Sequence, residues 1–283
     1  MKNAIEGCIL GTALGDAVGL PCEGLSRTRQ NKWFHNQTPT LFFGRRMVSD
    51  DTEHTILVAQ ALIQSRGNVT QFEKHLAKGL RRWFLLLPAG AGLATIKACL
   101  KLCVGVSAGK SGVASAGNGP AMRAAILGVY CDDIEQLREL VTISSCITHT
   151  DERAIEGAFA VAIAAFLSKS TPRIQPFEYS MFVAQHLQNS ALVELIQRVA
   201  QSVNDGESTL SFATNLCGER GVRGYVLQTV PVALHAWLSN QNDFRAAVLA
   251  AVHCGGDTDS VAAIVGGMAA RCALDEIVSA FFG

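Results

Sequence analysis

"HCGGDTDSVAAIVGGMAAR", residues 253–271, changes character in its middle. The apolar run "FRAAVLAAV" (244–252) leads into it and has helical composition. Gly255 and Gly256 break that helix, because glycine reaches backbone conformations that other residues avoid and weakens a helix interior. Asp257, Thr258, Asp259 and Ser260 then open a second helical run, "VAAIVGGMAARCAL" (261–274). Asp257 and Asp259 face one point if the backbone turns there. An Asp-x-Asp spacing also serves phosphoaspartate enzymes, but those place it after a hydrophobic strand; here a helix pattern and Gly-Gly precede it.

The arrangement occurs twice. "SDDTEHT", residues 49–55, puts Ser49 in position to cap a helix, with Asp50 and Asp51 in its first turn. Free N–H groups and the helix dipole favour carboxylates there, and for one motif alone capping accounts for the residues. If the fold brings both helix starts together, four carboxylates and two hydroxyls converge. Close anions repel unless cations stand between them. Oxygen ligands without histidine or thiolate suit Mg²⁺, Mn²⁺ or Ca²⁺ rather than zinc, and two such ions could orient a sugar or phosphate oxygen and activate a water.

Outward from these motifs the chain reads as helices. Thr70 and Glu73 have capping-box spacing, ahead of a run that stops at Pro88 and Gly90. Asp132-Asp133 opens "IEQLRELV", Pro176 opens one long run to Asn204-Asp205-Gly206, and Asn242-Asp243 opens the run before the Gly-Gly break. Ala158 to Leu167 is apolar throughout; ten residues are too few to span a bilayer as a helix, so it reads as a helix buried on all sides. Gly7, Gly11 and Gly15 recur every four residues, which predicts close approach of another helix backbone. Strand-like alternation is scarce. The expectation is one all-α domain, 1–283, of ten or more helices, with loops at 26–48 and 105–120.

Composition excludes several classes. Of the 283 residues, 49% are hydrophobic and 17% charged, which fits a globular core rather than a disordered chain. Twenty-four basic and 24 acidic residues balance, so no charge excess draws the chain to nucleic acid or an anionic membrane. Arg45-Arg46 and Arg81-Arg82 are short solvated clusters. Nine scattered cysteines without Cys-x-x-Cys, and an N-terminus that runs straight into helical sequence, point to reduced thiols in a cytoplasmic protein, expected to be a monomer. Cys99 and Cys103 read as core packing.

A third element, "GNGPAMRAAILG" (117–128), places Pro120 in the first turn of a helix with Gly119 as cap. Backbone N–H groups of Gly-Asn-Gly suit phosphate or pyrophosphate. Near these motifs, Asp16 either orients metal ligands or caps a backbone, and Arg123 either contacts phosphate or forms an ion pair. His54 reads as an exposed helix histidine, and His253 and Cys254 as packing beside the site.

"EGCILGTALGDAVGLPCEG" (6–24), "SDDTE", "GNGPAMRAAILG", "THTDERAIEGA" (148–158) and "HCGGDTDSVAAIVGGMAAR" together resemble the ADP-ribosylglycohydrolase family, in the family's order from residue 6 to 271. The resemblance implies an all-α, orthogonally packed domain with a dinuclear Mg²⁺ or Mn²⁺ centre. It implies that Ser49, Asp50 and Asp51 form the first metal-binding group and Asp257, Asp259 and Ser260 the second, with serines where relatives often carry threonine. Glu23 matches a carboxylate of substrate positioning or catalysis, with Asp257 and Asp259 as its catalytic companions. Gly117, Asn118 and Gly119 match the loop that cradles the diphosphate and distal ribose, and His149 a position on the cleft's edge. Ser115 and Ala116 stand where several relatives carry an aromatic for adenosine; Tyr225, which also reads as a core tyrosine, is the candidate replacement. The implied activity is hydrolysis of the C1″ glycosidic bond of an ADP-ribosylated side chain or small molecule. The alternative is a non-catalytic, ADP-ribose-binding or crystallin-like member of the same fold.

Overall fold

Helices begin where the sequence supplies a side chain or a turn to start them. The computed structural model describes residues 2–34, 47–88, 90–171 and 173–269. Arg45-Arg46, most of the 26–48 stretch and the last residues of the second acidic motif's helix, from 270 on, lie outside them. The described helices are α1 (Lys2–Gly19), α2 (Arg27–Phe34), α3 (Asp50–Ser65), α4 (Val69–Leu85), α5 (Leu93–Cys103), α6 (Ala108–Ser111), α7 (Gly119–Met122) and α8 (Ala125–Tyr130). They continue with α9 (Ile134–Cys146), α10 (Glu152–Ser168), α11 (Pro176–His186), α12 (Ser190–Asn204), α13 (Thr209–Cys217), α14 (Val226–Ser239), α15 (Phe244–Val252) and α16 (Thr258–Met268). A 3₁₀ turn, Leu20–Cys22, follows α1. The fold is all-α; among the described residues the only β pairing is four isolated bridges.

Asp133 caps α9 by accepting from Gln136 N at 2.8 Å, and Asp243 caps α15 by accepting from Ala246 N at 2.8 Å. Two helices, α2 and α6, lie within stretches read as loops, and three further starts differ from the sequence reading. α4 is capped by Asn68, whose Oδ1 accepts from Gln71 N at 2.9 Å, two residues before the expected Thr70. The run after Pro176 is two helices, because Asn189 caps a fresh start by accepting from Leu192 N. At α7 the cap position belongs to Asn118, and Gly119 is already helical.

The core is built around α10 and the pair α1–α16. Ala158 to Ala165 are all buried, as an apolar helix surrounded by α7, α8, α9 and α14 must be. Each large apolar side chain so buried, such as Phe159 or Ile163, contributes about 1.5–3 kcal/mol. The most extensive helix pairing is α1 against α16. A β-carbon on Gly11, Gly15 or Gly19 would overlap the backbone of Gly266, Ala262 or Thr258 respectively. The expected close approach therefore occurs along the stripe, with Gly19 extending it, and its partner is the helix that begins with the second acidic motif. Asn3–Cys22 has a membrane span's length and a mean hydropathy of 1.2, but 61% of that segment is buried within the fold.

This pairing positions the site. The C-terminal end of α1 lies against the start of α16, where Thr258 Oγ1 donates to Gly19 O at 2.8 Å. Asp16, one turn earlier on α1, reaches the start of α3. One helix thus holds both acidic motifs.

Candidate metal centre and cleft

At the start of α3, Ser49 Oγ accepts from Asp51 N at 3.3 Å and donates to Asp51 Oδ2 at 2.9 Å. Asp16 Oδ2 accepts from Ser49 N at 2.8 Å, Thr52 N at 3.2 Å and Thr52 Oγ1 at 2.5 Å. Asp16 therefore caps a backbone, as one of its readings had it, and it also stands among the acidic residues. Ser260 Oγ, at the start of α16, donates to Asp51 Oδ2 at 3.3 Å. That bond joins the two motifs across 209 positions of sequence.

The start of α16 is built differently. Gly255 and Gly256 have φ of +73° and +83°, which only glycine adopts freely. Gly256 O accepts from Gly24 N at 2.8 Å, Gly256 N donates to Leu25 O at 3.0 Å, and Asp257 N donates to Val222 O at 2.9 Å. This three-way backbone clasp sets Glu23, exposed at the rim, beside Asp257. Asn118 Nδ2 donates to Asp257 Oδ2 at 2.7 Å and to Thr229 Oγ1 at 3.2 Å, and Asn118 N donates to Gly224 O at 3.1 Å. The Gly-Asn-Gly loop is thereby fixed to the second motif.

Burial raises every carboxylate here. Asp51 lies well above the usual range through burial, then through the charges of Asp259, Asp16, Asp50 and Asp257. Asp259 is pushed up to about 9 by burial and by Asp257 and Glu23, and Asp50 to about 7 by burial and by Asp16 and Asp257. Asp16 and Asp257 are raised by burial, against the hydrogen bonds they accept. The protein around Glu23, then Asp257 and Asp16, raises its carboxyl too. One oxygen each of Asp16, Asp51 and Asp259 lie within 4.8 Å of one another, and the Oδ1 of each is buried without a hydrogen-bond partner. Buried orphaned oxygens are costly. An all-oxygen set of this kind fits a hard divalent cation, which would satisfy the oxygens and offset the repulsion.

These groups open into a cleft of about 760 Å³. Every predicted site residue lines it except Asp51, which lies beneath, bonded to Ser49 and Ser260. Four other residues stand differently from the sequence reading, His253 among them because it is exposed rather than packed. His54 is fully buried, edge-on to Trp83, because α4 covers that face of α3. Arg123 neither lines the cleft nor pairs with a carboxylate: it is fully buried and bonded to His54 and to backbone and side-chain oxygens, Gly119 O of the cleft loop among them. Tyr225 is not a core tyrosine; it is 36% exposed, paired by a backbone bridge with Gly117, and its hydroxyl accepts from Arg153 Nη1 at 3.3 Å. His253 is exposed and Cys254 buried beside the turn. Sequence reasoning missed Asp16 as a full member of the acidic group, although it directly follows the glycine stripe. It also missed Arg220 and Arg223, which line the cleft from a loop carrying no motif.

A profile of the ADP-ribosylglycohydrolase family matches residues 1–274. The chain belongs to the ADP-ribosylglycohydrolase family. An uncharacterised member from Archaeoglobus fulgidus is 30% identical, over 94% of this chain and 86% of its own length. The mouse ADP-ribosylhydrolase ARH3 is 22% identical over 94% of this chain and 83% of its own. A solved ADP-ribosylglycohydrolase-related protein complex superposes with a TM-score of 0.72 at 24% identity, covering 97% of this chain and 89% of that one, and so shares the fold. Glycohydrolases of this family act on ADP-ribosylated substrates, and the acidic group of this member occupies the floor of its cleft.

Proposed function

We propose that the protein is a divalent-metal-dependent hydrolase that cleaves the C1″ glycosidic bond of an ADP-ribosylated side chain or small molecule and releases ADP-ribose. The observation that carries this reading is the Ser260–Asp51 bond, which brings two acidic helix starts to one cleft floor with three orphaned carboxylate oxygens. Ser49, Asp50, Asp51, Asp257, Asp259 and Ser260, with Asp16 beside them, would hold two Mg²⁺ or Mn²⁺. Such ions supply Lewis acidity and neutralise the carboxylates.

The remaining groups divide the work. Asn118 is held by Asp257 and Thr229, so the Gly117–Gly119 loop presents a fixed face to the diphosphate and distal ribose. Tyr225, exposed and bridged to Gly117, would flank an adenosine, while His149 lines the cleft beside the Gly117–Gly119 loop. Glu23 has a raised carboxyl at the rim. It takes the proton of the attacking water at Oε and returns it to the departing acceptor atom, as Asp257 or Asp259 could from the floor. The C1″–acceptor bond breaks, a C1″–hydroxyl bond forms, and the acceptor leaves protonated. Among the described residues all eight cysteines are free and mostly buried, as reduced thiols of a cytoplasmic protein would be.

The test is release of ADP-ribose from ADP-ribosyl-arginine and ADP-ribosyl-serine proteins. We expect release from at least one linkage with Mg²⁺ or Mn²⁺, abolished by EDTA and in Asp51→Ala and Asp259→Ala. A folded wild type that binds ADP-ribose in the calorimeter but frees it from no linkage is a binding module, and the hydrolase reading fails.

A further inference from the structure

Arg123 is buried completely, and among the described residues no carboxylate pairs with it. A guanidinium has five N–H groups and no acceptor. All five are used here. Nε donates to Ser144 Oγ at 3.3 Å, Nη1 to Gly119 O and His54 Nδ1 at 3.2 Å each, and Nη2 to Ser144 O and Thr148 Oγ1 at 2.8 Å each. Each partner must turn a lone pair towards Arg123, so His54 keeps its proton on Nε2.

The same accounting fixes Thr148. Its oxygen accepts from Arg123, and its own proton has two directions: Ser145 O at 3.4 Å or His149 Nδ1 at 2.9 Å. Ser145 O already accepts from Thr148 N at 3.0 Å and His149 N at 2.8 Å. The shorter path, to a nitrogen with no other partner, leads to His149 Nδ1, and this leaves the His149 proton on Nε2. Burial, then the Arg123 charge, hold His149 down to about 3, so the ring is neutral and donates from one nitrogen only. That nitrogen lies against the Gly-Asn-Gly loop: a β-carbon on Gly117 would stand 3.0 Å from His149 Nε2.

The geometry points to Arg123 as a positioning residue that sets the tautomer of His149 through the Thr148 hydroxyl, so that His149 offers Nε2–H to an acceptor oxygen of the ligand in the cleft. Because Arg123 also holds Gly119 O, one cation keeps donor and loop in register. The inference takes its ligand, an ADP-ribose oxygen of phosphate or sugar, from the proposed function; the relay itself does not depend on it.

The experiment combines ¹⁵N-histidine spectra of the full chain with calorimetry of ADP-ribose binding. In the wild type, His54 and His149 should both show the neutral Nε2–H form. Thr148→Val should mix the tautomers of His149 alone and weaken ADP-ribose about five- to tenfold, the loss of one directed hydrogen bond. Arg123→Lys, a point charge without the fork, should disturb both histidines; if it fails to fold, Thr148→Val still decides. A wild-type His149 protonated on Nδ1 overturns the relay. So does a Thr148→Val chain with unchanged spectra, and one with altered spectra but full affinity removes the donor role. The spectra need no ligand, so a wild type that binds no ADP-ribose defeats the functional reading while the relay is judged on its own.

Discussion

At the start of α3, side chains take up the free amides: Ser49 serves Asp51 N, and Asp16 serves Ser49 N and Thr52 N. At the start of α16 no side chain caps the helix. Its position comes from backbone, through two left-handed glycines, bonds to Leu25 and Val222, and a flank pressed on the glycines of α1. The two motifs carry nearly the same residues on opposite supports, one polar and one steric. The first should therefore respond to charge, and the second to volume.

Volume should have the larger effect. Gly15→Val puts carbon where the Ala262 carbonyl lies, and neither helix can retreat without dragging an acidic motif with it. Overpacking of this kind costs about 3 kcal/mol, the upper part of its usual range. Denaturant unfolding should show that loss, and Mn²⁺ titration should show weakened binding because Asp259 moves away from Asp51. A variant as stable as the wild type would mean that α1 and α16 do not touch through the stripe.

Charge should act on binding more than on folding. Asp16→Asn keeps an oxygen for the amides of Ser49 and Thr52 but removes one buried negative charge. Groups that orient ligands typically alter metal affinity about 10- to 100-fold when changed. We expect a loss of that size in Mn²⁺ affinity, with the metal-free protein as stable as before or more so. If the metal-free variant instead loses more than about 1 kcal/mol, typical of a lost cap, Asp16 is chiefly a structural residue.

The two supports also explain what the sequence could disclose. Ser49 followed by two aspartates is a local pattern, and local patterns such as caps at Asp133 and Asp243 read correctly. The glycine stripe announced a close neighbour, but not which helix, because a packing partner is a long-range choice. Asn68 and Asn189 won over more regular expectations because a cap depends on where the chain enters the helix, and this is set by packing. His54 and Arg123 misled for a related reason. A polar residue on a helix looks solvent-exposed until another helix covers it, and a buried arginine can be satisfied by carbonyls and hydroxyls that have no signature in sequence. The cleft's Arg220 and Arg223 lie on a loop placed by long-range backbone bonds, Val222 to the turn at Gly255–Asp257 and Gly224 to Asn118.

The smallest effect, and the one that best separates the two supports, is the pH dependence of stability without metal. Asp50 and Asp259 are raised to about 7 and about 9 in the folded chain, against about 4 when unfolded. Between these limits the folded state holds more protons, so its stability falls as pH rises: the contribution is complete below about pH 4 and gone above about pH 9. His54, His149 and His235 are lowered by burial, so they favour the folded state above about 6.5 and work in the opposite direction only below it. The window from pH 7 to 8 therefore reports the aspartates, because the buried thiols, held up to about 11 or 12 against about 8.5 unfolded, subtract stability only above it. There the EDTA-treated protein should lose melting temperature, and Mg²⁺, which binds the ionised carboxylates, should abolish the slope. Gly15→Val should lower both curves, and the Mg²⁺ curve by more, since weakened metal binding adds to the steric loss. A metal-free protein whose melting temperature holds steady or rises across that window would mean that the acidic groups are not buried together, and the contrast between a polar and a steric support would fail with them.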